Sequence, residues 1–149
     1  MSLSKNIVFT AVVIALCLFV SCTDMGSNAV KAKAGEAVEV SVQVGKSVLL
    51  TPDHTVIEFS KVEADGRCPA DVRCVWQGEA EIMLTLYVGN GVEHRRVKIP
   101  GLVRTPYRGE TVDIAGYRIR LLQLDPYPYA EQRNTLRTYE ARLEIEKIR

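Results

Sequence analysis

Beyond Gly35 the chain is organised by alternation. Val38, Val40, Val42 and Val44 point one way while Glu39, Ser41 and Gln43 point the other, the period of two that marks a half-buried strand. Gly45-Lys46 interrupts the pattern before Val48-Leu49-Leu50, and Thr51-Pro52-Asp53 interrupts it again. A strand is predicted over 55–62, where the apolar phase slips between Phe59 and Val62 as a bulge requires. The cleanest inward row is Ala80, Ile82, Leu84, Leu86 and Val88. Gly89-Asn90-Gly91 then reads as a tight hairpin turn, because Asn and Gly tolerate positive φ, and the chain returns over 92–99 to Pro100-Gly101. A short strand over 111–114, turned at Ala115-Gly116, leads into 117–124, which Pro126 and Pro128 end because proline has no N–H for a ladder. The last strand, 139–148, places Tyr139, Ala141, Leu143 and Ile145 inward and Glu140, Arg142, Glu144 and Glu146 outward.

About eight short strands with brief turns and no sustained 3.6-residue period predict an all-β domain, an antiparallel sandwich or a small barrel, over 36–149. Only 129–137 offers room for a short helical turn. No internal repeat or low-complexity stretch is visible.

The first residues follow a different rule. One early cation, Lys5, precedes the apolar run from Ile7 to Val20, and no further charge occurs before Asp24. This is the layout of an export signal, and at about 14 residues the run is short for a spanning helix, which needs roughly 20. Phe19-Val20-Ser21-Cys22 resembles the bacterial lipobox, in which a small residue precedes the cysteine that becomes lipid-modified. The resemblance implies a signal peptide over 1–21, cleavage before Cys22, and a lipidated Cys22 followed by a flexible tether to residue 35, small and polar throughout. It also implies the cell envelope, with Thr23 after the cysteine favouring the outer membrane over the inner. Several acyl chains at about 0.8 kcal/mol per CH₂ make such attachment effectively permanent.

With Lys5 removed, the 19 basic and 18 acidic residues of the full chain become equal in number. Neither a basic face for nucleic acid nor an acidic tail is indicated. A mature chain of about 130 residues suits one domain. Of the 4 cysteines, Cys17 leaves with the signal and Cys22 carries lipid, so Cys68 and Cys74 remain as an even pair in an oxidising compartment and are expected to form a disulfide.

Special residues are densest from Gly66 to Ala80, where Arg67-Cys68-Pro69 opens a loop, Cys74 follows after five residues, and Trp76 and Gly78 precede a strand. Arg-Cys-Pro, then Cys-x-Trp-x-Gly, resembles a motif in small secreted or lipid-anchored bacterial proteins of uncharacterised function. The segments Tyr117-Arg118-Ile119-Arg120-Leu121 and Asp125-Pro126-Tyr127-Pro128 are similar to their C-terminal half. The resemblance implies a β-domain and carries no activity. Trp76 has two readings, a plug packed over the bridge or part of a recognition surface. Trp76, Tyr107, Tyr127 and Tyr129 are the candidate binding residues, since aromatics in proline-stiffened loops lose little entropy on binding.

Other chemistry is weaker. A zinc site of Cys68, Cys74, His54 and His94 conflicts with the five-residue spacing, because structural zinc cysteines are usually two to four apart. His54 and His94 are the only histidines, 2 in number, and neither adjoins a Ser in a strand-to-helix elbow. Asp65, Asp71, Glu79 and Glu81 are carboxylates that a glycosidase-like site would need to bring together. Arg95, Arg96 and Lys98, with Arg104 and Arg108, form a basic cluster that suits an acidic glycan or headgroup, a solvated face, or the protection of a sheet edge. No cofactor or metal is implied. The reading is a lipid-anchored envelope domain that binds or scaffolds an envelope protein or glycan. The alternatives are an envelope hydrolase using carboxylates, which requires a carboxyl of strongly shifted pKa in a pocket, and a β-sandwich inhibitor of an exported protease.

Overall fold

The computed structural model describes residues 28–51, 53–101, 109–132 and 138–148. The signal peptide, Cys22, Tyr107, Arg104 and Arg108 lie outside the described residues.

Among the described residues, nine strands form two stacked sheets: β1 (Asn28–Lys31), β2 (Ala37–Gln43), β3 (Ser47–Thr51), β4 (Thr55–Asp65), β5 (Glu79–Val88), β6 (Gly91–Pro100), β7 (Thr111–Ile114), β8 (Tyr117–Asp125) and β9 (Glu140–Lys147). One sheet has the order β1-β3-β4-β5-β6 and the other β2-β9-β8-β7, and they do not close into a barrel. The pair β2 and β3 crosses between sheets at Val44–Lys46, where Gly45 takes φ 75° and its N–H bonds the Phe59 carbonyl at 2.7 Å.

The inward rows meet between the sheets. Ile57 and Phe59 of β4, and Ala80, Ile82, Leu84 and Leu86 of β5, face Val40 and Val42 of β2, Ile119, Leu121 and Leu124 of β8, and Ala141, Leu143 and Ile145 of β9, all buried. Each such Leu, Ile, Val or Phe side chain stabilises the fold by about 1.5–3 kcal/mol through removal from water. Val38, Val44 and Val88 close their rows half-buried at the rim. The expected slip in β4 is present as a register shift between Phe59 and Lys61, and a second shift lies between Val62 and Ala64. A 3₁₀ turn, Ala130–Gln132, falls in the segment expected to hold one.

Boundaries differ from the sequence reading at three places, the first being β4, which runs on from the expected end at Val62 to Asp65. The stretch assigned to a loose tether contains β1, which runs parallel to β3 with Asn28 opposite Val48, and its continuation buries Ala32 in the core. Asn28 to Lys31 lacks the long alternation that announces a strand, and a vacant edge on β3 supplies what local pattern does not. The last strand begins at Glu140, leaving Tyr139 half-buried outside it with its hydroxyl turned to a polar partner.

Both short hairpins use positive φ. Gly89 has φ 56°, the arrangement of a turn with Gly first. At the other, Ala115 (φ 51°) and Gly116 (φ 80°) are both left-handed, as a type I′ turn demands, although Ala pays a steric penalty there.

Candidate functional site

At the end of the sandwich where β4 finishes and β5 begins, the chain leaves the sheet through Asp65-Gly66-Arg67-Cys68-Pro69. Gly66 N–H bonds the Glu79 carbonyl (2.9 Å) and Cys68 N–H bonds the Gln77 carbonyl (2.8 Å), so the two strands continue as a narrow ribbon. That ribbon needs glycine at position 78, where φ is +66° and an added Cβ would collide with the Gly66 carbonyl. Beyond it, Cys68 and Cys74 are joined in a disulfide, as expected, with their Cα atoms 5.9 Å apart. Closing so short a loop contributes about 2 kcal/mol in the chain-entropy account.

The organising residue is Arg67, only 4% exposed. Its Nε donates to Asp65 Oδ1 and its Nη2 to Asp65 Oδ2, both at 2.8 Å, a two-pronged ion pair. Its Nη1 donates to the Leu124 carbonyl at 2.7 Å and Nη2 also to the Pro126 carbonyl at 3.2 Å. The guanidinium lies over the Tyr127 ring, 4.7 Å from its centroid. Thus a side chain just beyond the end of β4 in one sheet ties down the segment that leaves β8 of the other. Asp65 also accepts from the Tyr139 hydroxyl at 3.1 Å. Burial alone would raise the Asp65 carboxyl, but the Arg67 guanidinium, aided by Tyr139, outweighs it and holds the pKa below the ordinary 3.8.

The same two segments meet again further out. Ala70 N–H bonds the Pro128 carbonyl at 3.0 Å, and Ala130 N–H bonds Asp71 Oδ1 at 2.9 Å. Between the loop, the end of β6 and the segment after β8 opens a cleft of about 430 Å³. Its walls include Ile99, Pro100, Tyr127 and Tyr129, with Gln123 and Asp125 as polar members. Gln123 is itself positioned, its amide donating to Asp125 Oδ2 (2.6 Å) and accepting from Arg142 Nη2 (2.7 Å).

Comparison with family models, with curated proteins and with solved structures returned no match.

The candidate residues separate as follows. Tyr127 and Tyr129 line the cleft, Tyr127 half-buried against Arg67 and Tyr129 exposed. Trp76 is 74% exposed and the neighbouring Val75 fully so; it is therefore not a plug over the bridge, because the ribbon turns it away from the core. Tyr107 lies outside the described residues. The cysteines of the zinc alternative are bonded to one another, His54 sits in the turn after β3 with φ 56°, and His94 accepts or donates at Thr85 Oγ1 (2.9 Å), which in turn meets Ser60 Oγ at 2.7 Å.

The four carboxylates go to different partners: Asp65 to Arg67, Asp71 to Ala130 N–H, Glu79 to Lys98 and Glu81 to Arg96. The pKa of Asp53, Asp65 and Asp113 is displaced downward, and each faces a cation, the pattern of an ion pair and the opposite of a general acid held protonated. Along β6 the basic cluster is matched by acids, Lys98 with Glu79 (2.7 Å), Arg96 with Glu81 (3.5 Å) and Arg95 with Glu93 (3.5 Å).

Sequence reasoning missed Arg67, Asp65 and Tyr139 as a unit. The signal was there in part: a charged pair two residues apart at the end of a strand, opening one half of the resembled motif, while Asp125-Pro126-Tyr127-Pro128 is the other half. The structure joins the two halves through the Arg67 guanidinium.

Proposed function

We propose that the protein is a lipid-anchored domain of the bacterial cell envelope that binds a neutral segment of an envelope glycan in the cleft between the disulfide loop and the Leu122–Tyr129 segment. The observation that carries this reading is the cleft itself, a preformed concavity of about 430 Å³ with tyrosine walls. It falls in the size range of ligand sites, which are commonly apolar with a few placed polar groups. The Arg67 charge is neutralised by Asp65, so it does not select an acidic ligand. What remains is ring surface for stacking, and Gln123 and Asp125 to take hydroxyl hydrogens.

Calorimetric titration of the lipidated protein in detergent with solubilised peptidoglycan fragments and with neutral oligosaccharides tests the reading. Saturable binding that Tyr129→Ala weakens at least about tenfold, the worth of one good aromatic contact, is expected. Tyr129 is exposed, so the variant keeps its fold. Absence of saturable glycan binding would sink the proposal, and binding of extended peptides alone would reassign the cleft.

A further inference from the structure

We infer that the tip of the disulfide loop, Val72, Val75 and Trp76, is a second contact with the phospholipid surface, seated beside the acylated Cys22. This rests on the anchor in the reading above and not on the cleft.

The apolar surface at the tip is unusual for its rigidity. Val75 is fully exposed, Trp76 74% and Val72 42% exposed, all within five consecutive positions and with Arg73 exposed among them. Such exposure belongs to a stapled loop: the Cys68–Cys74 bridge, the Cys68 to Gln77 backbone bond, and the two bonds from Ala70 and Asp71 to the Pro128–Ala130 segment hold it. A contiguous exposed apolar patch marks an interaction site. A Trp ring with a cation nearby suits the bilayer interface, where the amphipathic ring sits at headgroup level and the cation meets anionic lipid.

The topology says which occupant is within reach. Strand β1 runs parallel to β3, and β3 runs antiparallel to β4, so the N-terminal end of β1 points toward the end where β4 finishes and the disulfide loop begins. Asn28 is level with Val48, and Val48 with Ile57 and Leu86. The sheet ends at Ala80, opposite Asp65, six residues along β5 from Leu86, or about 20 Å. Cys22 is also six residues from Asn28, a span of at most about 20 Å for any backbone. The anchor therefore cannot lie beyond the level at which the loop leaves the sheet, and the loop starts at that level. A lipid seated on Cys22 holds the bilayer within about 20 Å of Asn28, the end of β1 that points toward the loop.

Trp76 is the only tryptophan, 1 in the sequence, so tryptophan emission, excited at the red edge where tyrosine does not absorb, reads this loop alone. Full-length lipoprotein is reconstituted into phosphatidylethanolamine–phosphatidylglycerol vesicles, with or without brominated acyl chains, after mass spectrometry has established acylation. The expected result is a loss of about half of the emission with brominated lipid, together with protection from aqueous iodide, as for a ring at the interface. Val72→Asp/Val75→Asp, both changes at exposed positions, should abolish the bromine quenching while the protein stays anchored. Unchanged emission with free access to iodide overturns the inference. So does shielding from iodide without bromine quenching, which would place Trp76 against protein. A mass without acyl chains removes the anchor itself, and the inference with it, by a readout separate from fluorescence.

Discussion

At the end of the sandwich that carries the turns at 53–54, 89–90 and 115–116, strands reverse within two or three residues, and the charged groups are exposed. Lys147 donates to Asp53 at 2.8 Å and the buried Tyr117 reaches the same carboxylate at 3.0 Å. At the opposite end the connection from β4 to β5 is long although β2 and β3 reverse tightly at Val44–Lys46, the key ion pair is almost fully withdrawn from water, and both sheets hang on it. The first end reverses through turn residues acting on their neighbours, and its long-range contacts, 64 and 94 positions apart, converge on one carboxylate that water still reaches. The second depends on groups 57 to 74 positions apart that are withdrawn from water, and it is the end that has the cleft and the exposed Trp76 and Tyr129. An end built by local turns leaves little surface to vary, whereas one held by a buried polar network can carry long loops without losing their shape.

The largest expected effect is at Arg67. Arg67→Met leaves Asp65 buried without its partner and two carbonyls without donors, and should cost about 3–5 kcal/mol in denaturant unfolding. Asp53→Asn at the other end should shift the midpoint far less, because water already screens that pair. Equal losses would erase the contrast between the ends.

Glycines sharpen it. Gly78→Ala meets both a left-handed φ and the Gly66 carbonyl, and should lose about 2–3 kcal/mol. Gly89→Ala has a comparable φ of +56° and nothing within 4 Å, so its cost should be the conformational one, about 1 kcal/mol. The difference in unfolding free energy between these two variants measures the close approach at the ribbon.

Acid should also act more strongly at the cleft end. The Asp65 pKa is lowered in the fold, from the ordinary 3.8. Its contribution is therefore complete above that ordinary value, and is lost as pH falls through the lower folded value. Urea midpoints measured from pH 5 downward should fall below about pH 4, and Asp65→Asn should flatten that part of the profile while lowering stability at neutral pH. An unchanged profile would assign the acid sensitivity elsewhere.

Two smaller effects complete the comparison. Ala115→Gly relieves a left-handed alanine and should stabilise by about 1 kcal/mol, seen as a raised Tm. Trp76→Ala, at an exposed site, should change stability by less than about 0.5 kcal/mol. A loss of several kcal/mol would mean that Trp76 caps the core after all.

Period-two alternation was sufficient to place β2, β5, β8 and most of β4 and β9, bulge included, because each of these strands buries one face and the side-chain period transmits that face to the sequence, whereas β6, exposed from Gly91 to Arg96, was placed by the hairpin turn before it. The Gly89-Asn90 and Ala115-Gly116 turns were legible for a related reason: the φ values they need are open to few residue types. The disulfide was legible from the number of cysteines and the compartment that the first residues lead one to expect. Strand β1 was not, since four residues on an edge take their conformation from the partner ladder. The division of strands between two sheets, with β2 and β3 parted across a tight turn, was not legible either, because alternation states that a face is buried and is silent on what covers it. Arg67 stood in plain view within a noted motif, yet its burial, its partner Asp65 and its hold on Leu124 and Pro126 depend on bringing β4 beside the end of β8. A guanidinium can be taken from water only where donors and charge are all answered, and that condition is met by residues far apart in the chain. What the sequence determined by itself was which residues face inward and where the chain turns, through interactions between near neighbours; the tertiary structure alone decided which strands share a sheet, where the cleft opens and which aromatics stay in water.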